Sequence, residues 1–236
     1  MKTRYLLIGL LFLFSKTFAQ VDPLGAYNRY VVENWSGEYV RIGPYQVKGS
    51  PYFFGESLPG NITYKGGKKA ADTKILYDVY NQKVGVAQNN EIFEATEAVE
   101  EFIISLPAKY GSGKLLFRNS YVYGEAGMKS YLNVLDDGDK ISFLKQFKIK
   151  LLPDPTNTMA KERKVFDQYS EYYIYSKASK ELSKVKLKEK DIMKILGNGE
   201  QVKNYLSKNE IDFSKEEEVI SLINKYNNNF ALLKEN

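Results

Sequence analysis

The sequence predicts a mainly β, α+β fold: an antiparallel meander, barrel-like or sandwich-like, followed by a small C-terminal helical appendage. Three observations carry this. Between residues 38 and 151, short runs of β-branched and aromatic residues are punctuated by Gly, Pro, Asn and Asp turns. The chain is rich in rings, with 19 Tyr and 13 Phe in 236 residues, and such rings favour pleated, half-buried surfaces. Past Lys188 the apolar spacing changes to the i, i+3, i+4 pattern of amphipathic helices.

Residues 1–19 read as a cleavable signal peptide. Lys2 and Arg4 precede an apolar run from Tyr5 to Phe14, about ten residues against the ~20 a membrane-spanning helix needs. Thr17-Phe18-Ala19 places small residues before an expected cut at Ala19/Gln20. No Cys follows the run, so a lipoprotein anchor is excluded, and no later segment is long and apolar enough to span a bilayer as a helix. Residues 20–38 form an N-terminal arm, with breakers at Pro23 and Gly25 and the single Trp35 near its end. Trp35 either caps the core or faces a partner.

The antiparallel β domain spans residues 39–188. Its expected strands are Glu38–Ile42, Tyr45–Lys48, Gly60–Tyr64, Thr73–Tyr80, Lys83–Gln88, Glu91–Ala95, Glu101–Leu106, Lys114–Tyr123, Lys129–Leu135 and Lys140–Leu151. Thr73–Tyr80 alternates, with Ile75, Tyr77 and Val79 on one face. Asp136-Asp137-Gly138-Asp139 is the strongest hairpin signal. Residues 152–168 read as an exposed loop, and Tyr172–Lys177 with Lys184–Lys188 as a last hairpin. The helical appendage, residues 189–236, holds Glu189–Leu196, Glu200–Lys208 and a third helix behind Ser214. Ser214-Lys215-Glu216-Glu217 matches a capping box, and Val219, Ile220, Leu222, Ile223 and Tyr226 form one broad apolar face.

Composition removes several chemistries. The chain has no Cys and no His, which excludes Cys and His nucleophiles, Ser-His-Asp triads, ordinary zinc sites and disulfides. Without residues 1–19 the basic residues fall from 34 to 31 against 29 acids, a net charge of +2. Such a balance does not suit nucleic-acid binding, which needs dense phosphate neutralisation. No cofactor or metal is expected.

Several stretches resemble a family of uncharacterised exported proteins of Bacteroidetes: Asn61–Tyr64 through Leu76–Asn81, Ser142–Lys145, Glu171–Ile174, Lys190–Leu196, Val202–Leu206 and Lys215–Asn227. The resemblance implies an envelope or secreted protein with a sheet followed by helices. It implies no activity and no catalytic residue.

Each candidate site has a plain structural reading beside the functional one. Glu94, Glu97, Glu100 and Glu101 could act as paired carboxylates or hold a cation, but within eight residues they read as a solvated face. Asp136, Asp137 and Asp139 lack the alternating donors of a calcium loop and suit a tight hairpin. Tyr169, Tyr172, Tyr173 and Tyr175, with Tyr121 and Tyr123, could build a platform for a glycan or an extended peptide, although cross-strand packing uses the same rings. Alternation places Tyr173 and Tyr175 on one face and Tyr172 on the other. Tyr52-Phe53-Phe54, bounded by Pro51 and Gly55, is a candidate aromatic loop tip, with burial the favoured alternative. Tyr52, Phe53, Phe54, Tyr173 and Tyr175 are therefore the candidate partner-binding residues. Lys184, Lys186, Lys188 and Lys190 could meet anionic lipid or guard an edge strand. Gly111-Ser112-Gly113-Lys114 lacks the spacing of a phosphate loop.

The expectation is a non-enzymatic exported cell-envelope protein that binds or scaffolds envelope protein partners, accessory to an outer-membrane assembly. Its place is the periplasm, the outer membrane or the exterior. The alternatives are a carboxylate-based hydrolase acting on glycans and a β-barrel that carries a lipid-like ligand.

Overall fold

A computed structural model describes residues 40–42, 45–88, 91–95, 97–121, 130–156, 163–197 and 199–230. The expected signal peptide, the arm with Trp35, and Tyr123 lie outside them. The strands are β1 (Val40–Ile42), β2 (Tyr45–Lys48), β3 (Leu58–Tyr64), β4 (Lys69–Asp78), β5 (Lys83–Gln88), β6 (Glu91–Glu94), β7 (Val99–Leu106), β8 (Gly113–Arg118), β9 (Leu132–Asp137), β10 (Ile141–Pro153), β11 (Arg163–Ser176) and β12 (Leu182–Val185). Three helices follow: α1 (Glu189–Leu196), α2 (Glu200–Lys208) and α3 (Glu216–Asn227). The fold is mainly β with a helical C-terminus, as the sequence predicts.

The strands form one sheet in the order β1-β2-β11-β10-β9-β8-β7-β3-β4-β5-β6, with β12 on the outer side of β11. The sheet is open among the described residues, its path ending at β1 and β6. Neighbours are antiparallel except β2 and β11, which run parallel over Arg163–Val165. The outer edge of β11 is thus shared: β2 lies along its start and β12 along Tyr172–Tyr175.

The sheet curls around an aromatic core. Phe53 and Gly55 belong to a single 3-10 turn, Phe53–Gly55, that tucks the Phe53 ring inward. Its centroid lies 4.8 Å from Phe147, 5.5 Å from Phe117 and 6.2 Å from Tyr77. Phe102 stacks on Phe117 at 4.7 Å, and Ile62, Ile75, Val84 and Ile149 complete the cluster. The β4–β5 turn reaches across to the far strands. Gln82 Oε1 accepts from the Tyr131 amide at 3.1 Å, and the Tyr80 ring meets Phe166 of β11. β3 is squeezed between β4 and β7. A Cβ on Gly60 would lie 2.1 Å from the Ile103 carbonyl oxygen, so only glycine fits there.

The helices cover the other end of the ribbon. Ile192, Leu196, Val219, Leu222 and Ile223 pack on Ile141, Phe143, Ile174 and Val185. Two polar fasteners fix them. Lys145 Nζ and the Tyr172 hydroxyl both donate to Glu216 Oε2, at 2.7 and 2.6 Å. Burial first, then the Glu216 carboxylate, pushes the Tyr172 phenol well above its ordinary range. At the opposite end of α3, Asn227 accepts from the Ile141 amide and donates to the Ile141 carbonyl and to Asp136.

Two expectations are corrected. The loop at 152–168 is shorter, because β10 runs to Pro153 and β11 begins at Arg163, pairing Leu151 with Phe166 and Leu152 with Val165. Phe166 packs on the curled core, and that contact draws the strand out of the loop. The capping box does not form either. The Ser214 amide and hydroxyl both donate to Asp212 Oδ1, a charged acceptor close in sequence, and Glu218 reaches back to the Asp212 amide.

Candidate functional site

The face of β9, β10 and β11 turned away from the helices holds Tyr173 and Tyr175. Opposite residues of paired strands share a face, so Leu144 and Tyr173, paired across β10 and β11, lie together. Tyr121, Leu132, Val134, Tyr175 and Leu182 join them in one cluster. The Tyr121 and Tyr175 rings meet edge to face at 5.2 Å.

Two ion-pair hubs flank this strip. On one side, Asp137 accepts from Ser142, Lys177 and Arg118 at 2.6–2.7 Å, and Arg118 also donates to Glu101 at 2.6 Å. Burial alone would raise the Asp137 carboxyl, but its donors outweigh burial and hold it at about 2. On the other side, Glu171 accepts from Lys184, Tyr173 and Lys148. The same competition, burial against three donors, leaves Glu171 at about 2.

The five candidate partner-binding residues are not brought together. Tyr52 and Phe53 are 3% and 2% exposed and belong to the interior near β4. Phe54 is half-buried in a left-handed conformation (φ 51°) and stacks on Tyr110 at 4.1 Å. Tyr173 is buried at 5% exposure, its hydroxyl held by Glu171, while Tyr175 is half-buried on the same face. No exposed aromatic tip forms at 52–54: the 3-10 turn and the unusual φ at Phe54 aim Phe53 into the core.

Five of the acidic candidates resolve into fasteners. Glu94 pairs with Lys83, Glu97 with Lys68 and Glu101 with Arg118. Asp136 accepts from Asn224 and Asn227, and Asp137 serves the hub just described. No group of three or more acidic side chains suited to a metal ion occurs among the described residues.

One available feature is the outer edge of β12, which among the described residues has no strand beyond it. The Ser176 amide donates to the Glu181 carbonyl at 2.9 Å, which sets the phase of the ladder. Ser183 and Val185 therefore turn their backbone groups toward β11, while Leu182 and Lys184 turn theirs outward. Among the described residues β12 pairs with β11 alone. The edge ends at Lys186, whose amide donates to Asp191 Oδ2 at 3.1 Å. That contact folds α1 back beside the strand and leaves a groove of about 450 Å³ between them. Leu182, Ser183, Lys184 and Val185 form one wall, and Asp191, Lys194 and Ile195, at helical spacing on one face of α1, form the other.

The lysine alternation at 184–190 signals an edge strand in the sequence, but β12 begins earlier, at Leu182, and ends at Val185. The groove also needs the α1 face, which becomes visible only once the Asp191 bond shows how strand and helix meet. No family model matches this chain, and no curated protein or solved structure is significantly similar to it. No helix among the described residues is long and apolar enough to cross a membrane.

Proposed function

We propose that this is an exported, non-enzymatic protein of a bacterial cell envelope that binds or scaffolds envelope partners, as an accessory to an outer-membrane assembly. The observation that carries the binding role is the open edge of β12 beside the α1 groove, the arrangement by which a sheet takes up an added strand. Export rests on the basic, apolar and small-residue order of residues 1–19.

The hydrolase alternative is the weaker one, since Glu94, Glu97 and Glu101 are each engaged by a cation. The lipid-carrier alternative needs an empty apolar interior, and Phe53, Tyr77, Phe102 and Phe117 fill the curl of this sheet. Fractionation of the native host tests the proposal. The expected product begins at Gln20 and is recovered from the envelope or the medium; an intact product beginning at Met1 in the cytosol refutes it.

A further inference from the structure

Besides the end strand β1, the sheet's path ends among the described residues at β6, an edge opposite in character to that of β12. β6 pairs with β5 alone among the described residues. The Ala95 amide donates to the Val84 carbonyl at 3.1 Å, so Ile92 and Glu94 turn their backbone groups outward. Between them Phe93 is 51% exposed, a large ring left at the rim of the sheet. Glu91, Glu94 and Glu97 lie close to it in sequence, with Glu94 paired to Lys83 and Glu97 to Lys68. The β12 edge is basic instead: residues 180–194 carry six lysines against three acids. Lys184 pairs with Glu171, and Asp191 is engaged by the Lys186 amide.

We propose that the β6 edge of one molecule adds to the β12 edge of a second copy, joining the two sheets head to tail. In paired strands, residues with outward backbone groups face one another and their side chains share a face. Ile92 and Glu94 then lie beside Leu182 and Lys184. Phe93 falls on the opposite face, where Ser183, Val185 and Ile195 line the groove against α1. The exposed ring enters the groove, and Glu91 and Glu94 meet a lysine-rich rim. Either edge pairing with its own kind would set like charges together, which disfavours symmetric dimers. A heterologous contact of this kind leaves one free edge at each end, so growth continues beyond two copies.

The proposal rests on the scaffolding reading, but its test uses purified protein and is independent of where the protein resides. A four-residue strand is a small interface, so half-assembly is expected at a concentration on the order of 0.1 mM. Sedimentation equilibrium up to about 1 mM should show an average mass rising past the dimer, and about 0.5 M NaCl should weaken it.

Phe93→Asp blocks β6, and Lys184→Pro removes an outward amide from β12 while leaving the bonds of Ser183 and Val185 to β11. Each variant alone should stay monomeric. Mixed, the two should form a dimer and stop there, because each brings one intact edge. Lys194→Glu, at an exposed groove position, is the second β12 variant should Lys184→Pro fail to fold, and should weaken assembly about fivefold. A protein that stays monomeric at about 1 mM overturns the proposal, including one that instead takes up a labelled acidic peptide at β12. So does self-association that Phe93→Asp leaves unchanged.

Discussion

Asn227 joins the end of α3 to the β9–β10 hairpin, and replacing it tests how the appendage is held. The side chain is 8% exposed. Its Oδ1 accepts from the Ile141 amide at 3.1 Å, and its Nδ2 donates to the Ile141 carbonyl at 3.0 Å and to Asp136 Oδ2 at 2.7 Å. In Asn227→Ala the Ile141 carbonyl keeps the Gly138 amide, and Asp136 keeps Asn224. The Ile141 amide is stranded. That stranded donor, with the lost charge-assisted bond to Asp136, should cost about 2–4 kcal/mol. Urea denaturation followed by circular dichroism measures it as a lower midpoint at unchanged slope.

Asn227→Asp is the sharper variant. Its carboxylate can still accept from Ile141 but faces Asp136 with no proton to give. Both carboxylates resist ionising together, so the folded-state affinity of the pair for a proton is raised above the unfolded value. Relative to the parent, the variant should therefore be least impaired below about pH 4 and lose stability as pH rises. A difference from the parent that stays flat between about pH 3 and 7, or an Ala variant within about 0.5 kcal/mol of the parent, would mean that Asn227 does not hold the appendage.

Three further outcomes follow from the same contacts. Phe53→Ala empties the centre of the aromatic curl and should cost about 3–5 kcal/mol, read as a fall in urea midpoint and loss of near-ultraviolet dichroism. Gly138→Ala places a Cβ 2.1 Å from Asn227 Cγ, and should destabilise the parent by about 1–3 kcal/mol but an Asn227→Gly background by less; a double-mutant cycle measures the difference. Asp137 and Glu171, each held at about 2 against ordinary values of 3.8 and 4.5, contribute stability that is fully present above about pH 5 and lost as pH falls toward 2. After allowance for solvent screening that is about 1–2 kcal/mol each, and Asp137→Asn with Glu171→Gln should flatten the acid limb of a stability–pH curve.

The strands were most legible where alternation and turn chemistry agree. Ile75, Tyr77 and Val79 share the core face as their spacing predicts, and the hairpin signalled by Asp136–Asp139 joins β9 to β10, although Asp136 and Asp137 pair within β9 and the turn is 138–140. The broad face of α3 reads correctly from Val219, Leu222 and Ile223. What escaped the sequence depends on partners distant in the chain. The parallel β2–β11 pairing and the long reach of β10 and β11 are decided by Phe166 meeting the core, which no local window contains. Tyr52 and Phe53 are buried, the alternative the sequence favours, but the turn that buries them is not legible in it, because the inward aim of Phe53 comes from the left-handed backbone at Phe54. Lys184 was visible as a sign of an edge, whereas the groove depends on the Asp191 side chain capturing the Lys186 amide.

Amide hydrogen exchange at Leu182 and Lys184, read against protein concentration, tests most directly whether β12 is a docking edge. Exchange at both amides should be fast in dilute protein, with protection that grows with concentration and appears at Ile92 and Glu94 as well. Protection already complete in the dilute monomer, or fast exchange at every concentration, would contradict a docking role for this edge.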